Sequence, residues 1–303
     1  MGIINTSSFS KDLWPGVRAW YGKKYAEYPV EFLDIFTKSS SDMAFEEEVG
    51  ISGMGLAQMK TEGAGISYDE MRQGFTTRYT HATYALGFQV TREAYEDGLA
   101  VMQSLRKAQS LAFSMRQTKE TLAALVLNRA FTSTYYGGDG KELCATDHPN
   151  VSGGSWSNKL TTAADLSEAS LEQMCIQVAA FTNDRGMKIA IRPQKLVIPP
   201  ALEFEAARIL KSVQQPGTNY NDINALKTMG KFPGGVVVNH YLTDDDAYFV
   251  LTDCPDGMKY FERRADSFAE DSDWETEVAK FKAIFRASWG WTDPRCIIGT
   301  PGV

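Results

Sequence analysis

The clearest pattern in the chain is near its end. Ala279, Phe281, Ala283, Phe285, Ala287, Trp289 and Trp291 alternate with Lys280, Lys282, Arg286 and Ser288, and only Ile284 breaks the polar series. A two-residue period predicts a strand with one buried face, followed by a turn at Asp293–Pro294 and a closing strand over 296–298. Residues 91–131 change to steps of three and four: Tyr95, Leu99, Met102, Leu105, Ala108, Ala112, Met115, Leu122, Val126 and Ala130 mark one apolar face, with no proline in the stretch. This predicts a helix of up to roughly 60 Å, with Thr91 as its N-cap, Glu93 in its first turn and Gly98 as a weak point. Such a helix needs a sheet or partners along its length.

The stretches around that helix read differently. Residues 1–38 mix Trp14, Pro15, Trp20, Tyr21, Tyr25, Tyr28 and Pro29; they do not make a self-contained core and are expected to lie across another surface, the chain's own or a neighbour's. After Glu46–Ile51 comes a glycine-rich stretch at Gly53, Gly55, Gly63 and Gly65, and residues 75–90, rich in Thr, Tyr, Phe and Val, read as one strand. The result is a long hairpin around an open tip, and an isolated two-stranded hairpin is marginal, so something must support it. Beyond the long helix, 135–157 is loop. Ser170 and Gln173 fit a capping box for a second helix bearing Leu171, Met174, Cys175, Val178 and Phe181. A short strand over 196–198 passes through Pro199–Pro200 into a third helix over 201–213. Residues 214–235 form a polar projecting loop, and strands over 236–238 and 248–251 flank the turn at 244–246.

Composition narrows the class. The 303 residues are 43% hydrophobic and 23% charged, which allows a sizeable core and argues against disorder. A net charge of −7 argues against a dedicated nucleic-acid binder. No apolar run is long enough to span a bilayer, so no membrane partner is expected. Four scattered cysteines, Cys144, Cys175, Cys254 and Cys296, read as free thiols.

Candidate chemistry does not assemble. His81, His148 and His240 lack metal-ligand spacing. Ser155 sits in Gly153–Gly154–Ser155 without a nucleophile elbow, and Gly138–Asp139–Gly140–Lys141 lacks the rest of a phosphate loop. Asp266, Glu270, Asp271, Asp273, Glu275 and Glu277 read as a solvated acidic loop, with a cation site as the alternative. No catalytic, cofactor or metal residue is assigned. Arg106, Lys107, Arg116 and Lys119 mark a basic helix face that could meet nucleic acid or simply solvent.

The order of parts, together with three local stretches, carries a resemblance. Cys144-Ala-Thr-Asp-His-Pro149 follows the long helix; Ile191-Arg-Pro-Gln-Lys-Leu-Val-Ile-Pro-Pro-Ala-Leu202 leads to Ala206-Ala-Arg-Ile-Leu210; and Phe285-Arg-Ala-Ser-Trp-Gly-Trp291 runs into Asp293-Pro-Arg295. The chain resembles the major capsid proteins of tailed phages with the Hong Kong 97-type fold, and among them the Mu-like prophage head subunits. The resemblance implies an α+β chain with an N-arm (1–44), an extended loop lying over a neighbouring subunit (45–90), a peripheral-domain spine helix (91–136), an axial domain (137–257), a peripheral sheet (258–292) and a tail returning to the axial domain (293–303). It implies a virion shell of hexamers and pentamers around double-stranded DNA, assembled in the host bacterial cytoplasm with a portal, a separate scaffolding protein and room for a decoration protein. Inter-subunit contacts are then expected at Trp14, Trp20, Tyr21, Lys60, Tyr68, Gln214 and Tyr220, and DNA-facing positions at Arg106, Lys107, Arg116 and Lys119. An encapsulin-like shell enclosing protein cargo keeps the same fold; a soluble enzyme with a site assembled from distant residues is the alternative of another class.

Overall fold

The computed structural model describes residues 7–96, 100–214, 222–273 and 278–303, without the side chains of 7–15 and 95–103. It opens with helix α1 (Ser7–Glu27), a 3-10 turn at Phe32–Asp34 and strand β1 (Thr37–Ser40). Strands β2 (Phe45–Ser52) and β3 (Arg72–Thr80) pair antiparallel, and β4 (Ala82–Val90) leads into α2 (Arg92–Glu96) and α3 (Ala100–Asn128). Next come the short β5 (His148–Pro149) and β6 (Ser155–Trp156), α4 (Glu168–Ala179), β7 (Pro193–Ile198), α5 (Glu203–Lys211), α6 (Ala225–Thr228), β8 (Val236–Val238) and β9 (Tyr248–Thr252). The long strands β10 (Met258–Ser272) and β11 (Ala279–Trp291) precede β12 (Ile297–Thr300).

Two four-stranded sheets organise the body. The first runs β1-β10-β11-β4, the second β12-β9-β7-β8. The alternation in β11 does what it predicts: Phe281, Ala283, Phe285 and Ala287 are all buried, beneath α3. Phe281 stacks on Phe88 of β4, and Phe285 on Tyr84. A second core lies around α4 and the second sheet, where Leu171, Met174, Val178, Leu196, Ile198 and Tyr248 are inaccessible to solvent. Antiparallel pairing of β12 with β9 ties the end of the chain to this second unit.

The structure corrects several expectations. The strand over 75–90 is two strands broken at His81: β3 stays in the hairpin, whereas β4 pairs with β11. The break is chemical, because His81 turns inward and its ring nitrogens meet Ser41 Oγ at 2.9 Å and Ser288 Oγ at 3.0 Å. The helix over 91–131 is α2 and α3, with Gly98 outside the described residues. Thr91 Oγ1 accepts from the Ala94 N–H, as a cap should. The capping box is Ser167 with Ser170, three residues before the expected pair. The third helix is a 3-10 turn at Pro200–Leu202 followed by α5. The acidic loop is in large part strand: Asp266 and Glu270 lie within β10, which absorbs its irregularity in two register shifts against β11; residues 274–277 lie outside the described residues. The polar loop over 214–235 contains α6, anchored by buried Leu226 and capped by Asn224.

The aromatic N-terminal stretch forms a helix on the chain's own body. Val17 and Tyr21 are buried, and Tyr21 stacks on Phe268 and donates to Asp266 Oδ2 at 2.5 Å. Tyr21 therefore contacts its own sheet. The basic helix face is corrected for the same reason. Lys119 is 5% exposed, with its ammonium over the rings of Tyr25 and Phe285. Arg116 is half-buried, lying over the Tyr25 ring and donating to the Tyr25 carbonyl. Only Arg106 and Lys107 of the four are exposed.

Candidate functional site

Among the described residues no group of three or more His, Cys, Asp and Glu side chains is placed to hold a metal ion, and no helix is long and apolar enough to cross a membrane. The histidines serve structure. His148 is buried, with Nδ1 2.6 Å from Asp139 Oδ2, Nε2 3.0 Å from Asn158 Oδ1, and its ring stacked on Trp156. Asn158 Nδ2 in turn donates to the carbonyls of Leu143, Pro294 and Ile297, while its Oδ1 accepts from the Ala145 N–H. The His-Pro stretch after the helix is thus a knot that fastens the post-helix loop to the returning tail. His240 is exposed and pairs with Glu31 at 2.8 Å.

The surface that invites function is the hairpin. Among the described residues, eleven of the twenty-three exposed large hydrophobic residues fall within residues 43–75, and Leu56, Met59 and Tyr68 are 83%, 91% and 94% exposed. Residues 53–71 lie beyond the β2–β3 pairing and are fully solvent-facing. Exposed apolar residues gathered in one segment of a folded chain mark a candidate interaction site. Lys60 and Tyr68 both lie in this tip. The tip is tied to the second unit by Arg185, whose Nη1 reaches Asp69 Oδ1 and Oδ2 at 2.8 and 2.7 Å and whose Nη2 donates to the Glu70 carbonyl. Those Arg185 bonds, with the Gly55 N–H at 2.7 Å, hold the Asp69 carboxyl down at about 2. Sequence reading missed Arg185 and the tip methionines. The available signal was Met54, Leu56, Met59, Ile66 and Met71 in a glycine-punctuated stretch with no helical or strand period.

The other expected contact residues are scattered. Gln214 is exposed at the edge of the projecting loop, in an isolated bridge with Ile223; Tyr220 lies outside the described residues, as does the side chain of Trp14. Trp20 is half-buried, with the ammonium of Lys24 5.2 Å from its ring centroid.

Beneath α1 lies a desolvated charged cluster. Glu120, 1% exposed, accepts the backbone N–H groups of Glu31 and Phe32 at 3.2 and 3.0 Å, fastening the 3-10 turn to α3. Burial raises the carboxyl groups of Glu120 and Asp266 and lowers the Lys119 ammonium. These groups hold the N-terminal segment down.

Comparison with known proteins gives the family and the fold. The sequence profile of the family described as "Phage capsid protein" matches residues 74–299, from the second hairpin arm to the last strand. None of the curated protein sequences compared with the chain matches it. Among solved structures, the procapsid of bacteriophage JBD30 superposes with a TM-score of 0.53 at 13% identity, over 98% of this chain and 76% of that one. The capsid of Ralstonia phage GP4 gives 0.53 at 12% identity, over 88% and 87%. A virus-like particle from Pyrococcus furiosus gives 0.50 at 13% identity, over 94% and 98%. The shared fold is the α+β arrangement of the Hong Kong 97 type.

Proposed function

This chain belongs to the phage capsid protein family, and from that premise we propose that it is the major head subunit of a tailed phage or prophage, related to the Mu-like head subunits. Copies assemble into hexamers and pentamers and close into an icosahedral shell around double-stranded DNA. Assembly takes place in the host cytoplasm with a portal and a separate scaffolding protein, and the finished surface has room for a decoration protein. The observation that carries this reading is the hairpin: residues 43–75 expose a large apolar surface that the chain's own fold leaves uncovered. Burying such surface on neighbours is favourable by roughly 25 cal/mol per Å², and contacts repeated by symmetry hold a shell through multivalency although each is weak.

A second reading, an encapsulin-like compartment enclosing protein cargo, is favoured by one observation: the near end-to-end coverage of both chains in the Pyrococcus furiosus particle match. Purified particles treated with nuclease and then disrupted separate the two. Protected double-stranded DNA supports the phage head; particles enclosing a foreign protein and no DNA support the compartment.

A further inference from the structure

The second sheet ends on an open edge. β8 is its outermost strand and pairs only with β7 among the described residues. At the two ends of that pairing the Leu196 N–H donates to the Gly235 carbonyl, and the Asn239 N–H donates to the Ile198 carbonyl. The residues between those contacts alternate, so Val236 and Val238 turn their backbone N–H and C=O groups away from β7. Folded chains ordinarily blunt such an edge with lysine, proline, a bulge or a covering element. β8 reads Val-Val-Val instead, and Val236 is 38% exposed.

Beside this edge lies a groove of about 440 Å³ between α5, α6 and β8. Leu210, Phe232, Val236 and Val238 contribute apolar lining, and the charged residues are Lys211, Lys227, Lys231 and Glu203. Lysine thus outnumbers carboxylate here, although the chain as a whole carries a net charge of −7. Among the described residues none of the three lysines pairs with a carboxylate; the Lys227 ammonium donates to the Lys211 main-chain carbonyl at 2.7 Å. Two features therefore point to one class of occupant. Free backbone groups on an edge strand bind an extended segment through main-chain hydrogen bonds, and pockets beside the strand take its alternate side chains. Ammonium groups around an apolar lining select carboxylates set among apolar residues.

We propose that β8 and the α5–α6 groove form a docking site for an extended acidic segment of a second protein. The segment adds as a strand beside β8, sets apolar side chains against Leu210 and Phe232, and places carboxylates near Lys211 and Lys231. The site adds a binding function to the shell reading and does not rest on it.

The test uses the full chain and two short, dye-labelled peptides of alternating valine and charge, one with glutamates and one with lysines, read by fluorescence anisotropy. The glutamate peptide is expected to bind about tenfold tighter, the scale that two or three exposed ion pairs allow. The Lys211→Glu, Lys231→Glu double variant should reverse that preference, and N-methylating the backbone of the glutamate peptide should abolish its binding. Equal binding of the two peptides, a preference that survives the charge reversal, or binding that survives N-methylation overturns the proposal. If the double variant does not fold, hydrogen exchange on the unmodified chain decides. Slowed exchange of the Val236 and Val238 amides with the glutamate peptide alone supports the site, and unchanged exchange refutes it. Amides already protected before any peptide is added, in the dissociated subunit or on self-association, show the edge closed by the chain itself or by a second copy, and this too overturns the proposal.

Discussion

Lys119 and Glu120 are neighbours on α3, and the chain buries both. Glu120 does so in exchange for two backbone N–H groups of the 3-10 turn. Glu120→Ala leaves both donors without their acceptor, the Phe32 N–H fully buried, and opens a cavity, at an expected cost of about 2–4 kcal/mol. Urea unfolding of the dissociated subunit measures it, and a loss below about 0.5 kcal/mol would show that the turn is not held there. His81 gives a pH signature. Burial, and then the nearby Arg286, lower its affinity for a proton below the ordinary value of 6.5. The folded state thus binds fewer protons than the unfolded state in the window below 6.5. The stability His81 provides is complete above that value and is lost as pH falls through the window. The melting temperature of the native chain should drop more between pH 7.5 and 5.5 than that of His81→Gln; parallel curves would contradict the assignment.

At the scale of elements, two distant segments meet on Asn158: the stretch after α3, at Leu143 and His148, and the turn into β12, at Pro294 and Ile297. Asn158→Ala removes every one of those bonds at a buried position, and a loss of about 3 kcal/mol or more is expected; circular dichroism melts check it, and a near-neutral variant would refute the knot. Nothing in the sequence singles out this asparagine, because apart from His148 its partners are backbone groups, up to 139 residues away. By contrast β11, α4 and the passage from β7 through Pro200 to α5 were legible, since local periodicity and proline chemistry fix them. Lys119 and Glu120 shifted the reading of the helix face, since buried charges break an apolar period: the sequence points to Leu122 and Val126, which are half-buried, whereas Ala123 and Leu127 are buried. In β10 the acidic residues concealed a strand whose partner, β11, was plain. Of the candidate site, Lys60 and Tyr68 were placed in the tip by sequence. Arg185, which ties that tip, comes from the turn between α4 and β7 and carries no local signal.

At the scale of the molecule, an exposed hairpin beside two cores fits the proposed shell subunit, whose remaining burial would lie with its neighbours. The contacts are expected to be non-covalent. Some relatives of the resembled family join a hairpin lysine to a neighbour's asparagine, a reaction that needs the amine, the amide and a base to converge. Lys60 is the one lysine between Lys38 and Lys107, and no asparagine follows Asn239. Asn128 is occupied, donating to the Tyr241 carbonyl and accepting from the Thr243 N–H, both at 3.1 Å. Mature particles on denaturing, reducing gels should release monomer of 33.6 kDa; a ladder that survives would overturn this. The central claim, that the uncovered hairpin surface exists to build a shell, is tested most directly by electron microscopy of the purified full chain at high concentration, with scaffolding protein supplied. Closed, uniform icosahedral particles are the predicted result, and a monodisperse monomer under those conditions would contradict it.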